Sequence, residues 1–343
     1  MPANETGRSA APIFSREALE PAELAGFVAA FERDGFVAMP AILTAAGARG
    51  LADEILQHPA YHAWLEEEER RASTAPAARR QGGRFGLRPH NDKGPWTDQT
   101  IDAPLIQQLV SAVMAEPQLC HTSIQVSQPG APAGGYHQDH KHFQQGFEFP
   151  ANLAERQRNP LYLQMLHYPF GFTAPDGSLV VIPGSHRVDP LAVTKHPTTA
   201  QRPKLPDDPT VWNTGPGRGA EGTAGEAGSW EPQGLVSFDA PAAFGGLPAV
   251  TFSLPPGSMV FLNARTFHAY TTFTAQSGYD VRPFAPLMFK DGGPPHRHTQ
   301  PVPPHWLEGE VGPWRRRVLD RQPFSADPDD DDLPNAWQLA ANL

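Results

Sequence analysis

Apolar residues at Leu24, Phe27, Val28 and Phe31 recur at the helical interval and predict a helix that opens at Pro21-Ala22-Glu23 and stops at Asp34-Gly35. Phe36 to Met39 follows as a short strand. Thr44 is placed to cap a second helix carrying Leu51, Ile55 and Leu56, with His58 and His62 at its end on the surface. Leu105, Leu109, Val110 and Val113 mark a third amphipathic helix over Pro104 to Met114. The pattern then changes. His121 to Ser127, Leu161 to His167, Ser178 to Ile182, Ala249 to Leu254, Ser258 to Leu262, His268 to Thr274 and Val281 to Phe289 are short β-type runs, separated by turns such as Pro175-Asp176-Gly177 and Pro255-Pro256-Gly257. Helices followed by seven or eight short strands predict a mainly β chain with flanking helices (an α+β chain) around a double-sheet jelly-roll core.

Two stretches break the pattern. Residues 66 to 92 pass from Glu66–Glu69 to Arg70, Arg71, Arg79, Arg80, Arg84 and Arg88 and read as a solvated loop; the sharper reading is a lid whose arginines meet an anionic substrate group. Residues 190 to 248 carry Pro and Gly throughout, and an insert of that length is functional or disordered. The expected organisation is a leader over 1–14 and a single domain over 15–290. Its helical part covers 15–118, and its core covers 119–290 with the insert inside it. A C-terminal strap and acidic tail over 291–343 follow, with Trp306 and Trp314 as anchors.

Composition narrows the class. The chain has 343 residues, enough for a sizeable core, and a net charge of -10 without a basic stripe, which argues against nucleic acid as its partner. One cysteine, Cys120, excludes an internal disulfide and a cysteine-based metal cluster within one chain and fits a reducing cytoplasm. No signal peptide and no membrane span are expected.

The candidate chemistry lies in Tyr136-His137-Gln138-Asp139. Residues i and i+2 of a strand share a face, so His137 and Asp139 can offer an imidazole and a carboxylate to one divalent metal. The tripeptide alone is weak, since about one His-x-Asp is expected by chance at ordinary composition, and His90-Asn91-Asp92 is a second instance in a polar stretch. His268, at the start of a late strand, is the candidate third ligand. Arg282 is on the next apolar strand. A guanidinium buried there needs an anion, and its fork fits a carboxylate. A 2-oxo acid could thus chelate the metal and pair its far carboxylate with Arg282, with Arg265 as a less favoured partner. Gln125 and Gln164, polar in mid-strand, face either the pocket or solvent; Tyr136 and Phe143 are expected to wall the site. His140 and His142 read as neighbours rather than ligands, His142 being the reserve. His167 reads as a core histidine and His186 as closing a turn.

These residues resemble the phytanoyl-CoA dioxygenase family of iron(II)- and 2-oxoglutarate-dependent oxygenases. The resemblance is carried by His137-Gln138-Asp139, by Gly177-Ser178-Leu179 through Pro183-Gly184-Ser185-His186-Arg187, by Pro256-Gly257 with Val260-Phe261, by His268 and Arg282, and by the opening Phe31-Glu32-Arg33-Asp34-Gly35-Phe36-Val37. It implies a cupin-like double-stranded β-helix. It also implies Fe(2+) held by His137, Asp139 and His268, 2-oxoglutarate on Arg282 with Gln125 and Gln164 nearby, and O2 as oxidant. The expected reaction is hydroxylation of a C–H bond in a small molecule or natural-product intermediate, with release of succinate and CO2. Desaturation, epoxidation or rearrangement would use the same residues. The rivals are a non-catalytic metal-binding β-barrel module, which has no need of Arg282, and a zinc hydrolase, which has no need of oxygen or an oxo acid.

Overall fold

In a computed structural model, residues 11–74, 83–87, 94–134, 136–137, 162–174, 176–187, 236–238, 247–276, 278–291, 306–307 and 311–319 are described. No described helix is long and apolar enough to cross a membrane.

Helix α1 (Pro21–Asp34) has Pro at its start, a reciprocal Glu20/Glu23 capping box, and Gly35 beyond its last turn at φ 76°. Strand β1 (Phe36–Met39) follows. Helix α2 (Ala45–Leu56) is capped by Thr44, whose hydroxyl accepts from Gly47 N at 2.9 Å. The stretch read as a solvated loop is corrected here: α3 (Pro59–Thr74) runs into it, and β2 (Arg84–Leu87) is a strand. The misleading run of charges forms ion pairs at helical spacing, Glu67 taking both Arg70 and Arg71 at 2.7 Å. Helix α4 (Pro95–Asp102), also unanticipated, is capped from α2, since the Glu54 carboxylate accepts from Trp96 N at 2.9 Å. Helix α5 (Pro104–Val113) completes the helical layer.

The strands are β3 (Pro117–Thr122), β4 (Ile124–Ser127), β5 (Tyr162–Tyr168), β6 (Leu179–Val181), β7 (Val236–Phe238), β8 (Ala249–Thr251), β9 (Ser258–Asn263), β10 (His268–Tyr270) and β11 (Arg282–Asp291). That makes eleven among the described residues, more than seven or eight. The excess comes from β2, from β7 inside the presumed insert, and from the division of residues 117–127 into two strands. A short helix α6 (Pro313–Leu319) is held by Trp314, whose indole N–H donates to Ile101 O at 2.8 Å.

Two antiparallel sheets result. The larger has the order β1-β9-β5-β11-β4-β2, with β3 also on β11; the smaller has the order β10-β6-β8-β7. Alternation along each strand sorts the side chains into layers. Met259 and Phe261 on β9, and Leu163 and Met165 on β5, pack with the helices through Phe27, Phe31 and Leu51. Val260, Leu262, Leu166 and Tyr168 face inward and meet Leu179, Val181 and Val250 of the smaller sheet. Strands covered on both faces read as continuous apolar runs. This is the double-stranded β-helix core with flanking helices.

The join between α1 and β1 is tight. Gly35 sits at φ 76°, and a Cβ there would fall 2.3 Å from Thr266 Oγ1 and 2.4 Å from His186 Nδ1. Its carbonyl accepts from Asn263 N at 2.8 Å and Thr266 Oγ1 at 2.9 Å. Gly35→Ala is therefore expected to destabilise the fold by about 2–3 kcal/mol from left-handed backbone strain and contact. Urea denaturation measures it.

His167 is a core histidine. It is buried under Phe14, and its Nδ1–H donates to Ala285 O at 2.9 Å, while no described residue partners its buried Nε2. Burial lowers its pKa to about 4, against the partial opposition of the Ala285 carbonyl. The unfolded chain binds that proton near 6.5, so between pH 6.5 and 4 the unfolded state takes up more protons and stability falls with pH. The expected contribution at pH 5 is a loss of about 2 kcal/mol relative to pH 7.5. Denaturant unfolding at both values, compared with a His167→Asn variant that lacks this slope, checks it.

Candidate active site

The two sheets enclose a cavity of about 100 Å³. β10 contributes His268 and Tyr270, β5 contributes Gln164, Leu166 and Tyr168, and β6 contributes Leu179. Gln125 on β4 with the preceding Ser123, and Arg282, Phe284 and Pro286 on β11, close the other side. His137 completes the lining.

His137 is delivered by a run antiparallel to β10. Its N–H donates to His268 O and its carbonyl accepts from His268 N, both at 2.9 Å, and Gly134 N donates to Tyr270 O at 2.8 Å. The two imidazole rings lie with centroids 4.3 Å apart. His268 Nδ1–H donates to Thr266 O at 2.9 Å, which puts the ring's lone pair on Nε2, the atom that would meet a metal. Asp139 lies outside the described residues, as do His90-Asn91-Asp92, His140, His142 and Phe143.

Tyr136 is corrected by the same alternation that places His137. The neighbour of an inward residue points outward, and Tyr136 packs on the far side of the smaller sheet with Val180, Ile182, Phe267 and Ala269 instead of walling the cavity.

Arg282 enters the cavity from β11 and is 4% exposed. Its Nη2 reaches Ser127 Oγ at 3.5 Å, and its Nε, like Ser123 Oγ, is buried without a partner among the described residues. No described carboxylate forms an ion pair with it. Burial lowers its pKa to about 10, partly offset by Tyr168, so it stays cationic at neutral pH. Gly177 makes room for it. At φ +60°, a Cβ on Gly177 would stand 3.0 Å from Arg282 Nη1 and 2.9 Å from Phe273 Cδ2. Arg265 is buried as well, but it is not among the residues that line the cavity. Gln125 and Gln164 both line it. His186 sits in the single turn Ser185–Arg187, with Nε2 3.1 Å from Glu32 O.

Tyr270, Ser123 and Ser127 were not singled out in the sequence. Tyr270 was within reach, since it is two residues beyond His268 on the same strand and shares its face. The serines were not, because their role depends on which strands pair.

The donor set of two imidazoles and one buried guanidinium with no ion pair among the described residues suits a divalent metal and a dicarboxylate. Residues 31–274 match the family model described as "Phytanoyl-CoA dioxygenase (PhyH)". The chain belongs to the phytanoyl-CoA dioxygenase family. Members of this family are iron(II)- and 2-oxoglutarate-dependent oxygenases. Similar solved structures include the epimerase SnoN in complex with Fe3+, alpha ketoglutarate and nogalamycin RO, at 16% identity over 79% of this chain and 85% of that one, TM-score 0.45. The carbocyclase SnoK from nogalamycin biosynthesis is similar at 15% identity over 80% and 84%, TM-score 0.44. HygX from Streptomyces hygroscopicus, with nickel and 2-oxoglutarate bound, is similar at 13% identity over 80% and 88%, TM-score 0.45. No curated protein sequence matches the chain.

Proposed function

We propose that this family member hydroxylates an unactivated C–H bond of a small molecule or natural-product intermediate, using iron(II), 2-oxoglutarate and O2. The observation that carries the reading is the meeting, in one cavity between the sheets, of the paired His137 and His268 imidazoles with a buried guanidinium lacking a described carboxylate partner.

His137, Asp139 and His268 would hold the metal, and Arg282 would take the distal carboxylate of 2-oxoglutarate through two parallel N–H donors. Bound iron with its co-substrate supplies the oxidising chemistry, which ends in a hydroxylated product, succinate and CO2. The protein's own part is geometry and dryness. Thr266 O sets the tautomer and orientation of His268. Gln125 and Gln164 line the cavity, and Ser123 Oγ and Arg282 Nε are further polar atoms with no partner among the described residues. Leu166, Leu179 and Phe284 keep the surroundings apolar, which strengthens the attraction of Arg282 for a carboxylate. A metal-only binder would bury a cation on β11 at a desolvation cost that Ser127, Tyr168 and Asp176 offset only in part.

Anaerobic titration of the iron(II)-loaded protein with 2-oxoglutarate, followed by visible absorption, tests this. A charge-transfer band that bleaches in air is expected. Its absence despite bound iron would favour the hydrolase or binding-module readings.

A further inference from the structure

We propose that Arg84 is a positioning residue of the co-substrate chamber, acting through the ring of Tyr270; this rests on the oxygenase reading above. Arg84, Ser127 and Arg282 stand in register on three neighbouring strands, β2, β4 and β11. Ser127 Oγ accepts from both guanidinium groups, from Arg84 Nε at 3.3 Å and from Arg282 Nη2 at 3.5 Å. The Arg84 side chain then leaves its own sheet. Its Cζ lies 3.5 Å from the centroid of the Tyr270 ring, and its Nη2 donates to Pro132 O at 3.4 Å. β2 is the end strand of the larger sheet and β10 the end strand of the smaller, so this one side chain spans the open side of the sandwich. Pro132 belongs to the same run that carries His137.

No described carboxylate pairs with Arg84, so what holds this cation is the ring, one hydroxyl and one carbonyl. A guanidinium flat against an aromatic face gains from the ring quadrupole, and more when half-buried. Tyr270 is held from a second side, since a Cβ on Gly134 would fall 2.7 Å from its Cζ. The ring lines the cavity together with His268 and Arg282. Clamped in this way, it forms a fixed wall of the chamber that holds the imidazole pair and the guanidinium that would receive the distal carboxylate. Without Arg84 the ring loses one of its two supports and the chamber loses its shape, while His268 keeps its hydrogen bond to Thr266 O and its main-chain pairing with His137.

The test is the same anaerobic titration of iron(II)-loaded protein with 2-oxoglutarate, run on wild type, Arg84→Met, Arg84→Lys, Tyr270→Leu, Tyr270→Phe and the Arg84→Met/Tyr270→Leu double variant. Arg84→Met and Tyr270→Leu are each expected to weaken 2-oxoglutarate roughly fivefold, with the double variant no weaker than the worse single. Iron(II) affinity and melting temperature stay near wild type. Arg84→Lys recovers part of the loss, and Tyr270→Phe, which keeps the ring, loses less than Tyr270→Leu. Multiplying effects in the double variant would show Arg84 acting on the co-substrate independently and overturn the proposal. So would unchanged affinity in Arg84→Met, or loss of iron there. If Arg84→Met does not fold, Arg84→Lys with Tyr270→Leu completes the same cycle. A wild-type protein without the band overturns the oxygenase reading and this proposal together; a wild-type band with indifferent variants overturns this proposal alone.

Discussion

His268→Ala is expected to weaken iron(II) binding by roughly 100-fold or more and to abolish turnover, because the proposed site of three protein ligands would lose one outright. The imidazole lines the cavity with its ring 4.3 Å from that of His137, and its tautomer is set by Thr266 O. Removing the ring leaves the backbone bridge to His137 intact, since that bridge uses only main-chain atoms. The loss therefore belongs to the metal and not to the fold. Equilibrium dialysis of iron against the variant, together with its melting temperature, separates the two. His137→Ala and Asp139→Ala should behave alike. Wild-type iron affinity in Asp139→Ala would remove the carboxylate from the proposed ligand set and bring His142 forward.

Arg282→Ala should raise the concentration of 2-oxoglutarate needed for half-saturation by about 10- to 100-fold, the range for losing a buried, charge-assisted pair of hydrogen bonds. Iron affinity should hold, because Arg282 is not one of the proposed metal ligands. Arg282→Lys should recover only part of the loss, since an ammonium cannot reproduce the planar fork. The truncation also leaves Ser127 Oγ with Arg84 alone, so a modest structural cost is expected beside the binding cost. If 2-oxoglutarate saturation were unchanged, the co-substrate would have to be held elsewhere, and Arg265, outside the cavity lining, is the other buried arginine among the described residues to test.

Much of the layout was legible along the chain because it is local. The period of α1, the Thr44 cap, the Gly35 stop and the apolar runs of β5, β9 and β11 each follow from neighbours within a few residues. The errors have physical causes too. The charged face of α3 hid a helix, because ion pairs between Glu67 and its arginines leave no apolar period to detect. The two-stranded division at 117–127 and the short β7 carry too few residues for a pattern.

The amino-acid sequence alone determined the type of fold, the candidate ligands His137, Asp139 and His268, and Arg282 as the buried cation. Alternation could also have told that Tyr136 turns away where His137 turns in. Only the tertiary structure decided which polar residues share the cavity. It brought Ser123 and Gln125 to the same space as Gln164 from two segments, put Arg282 into that space and left Arg265 out of its lining, and set Arg84 against Tyr270 across two sheets. Those choices depend on strand order and register, which come from long-range pairing, and no short-range signal in the chain encodes them.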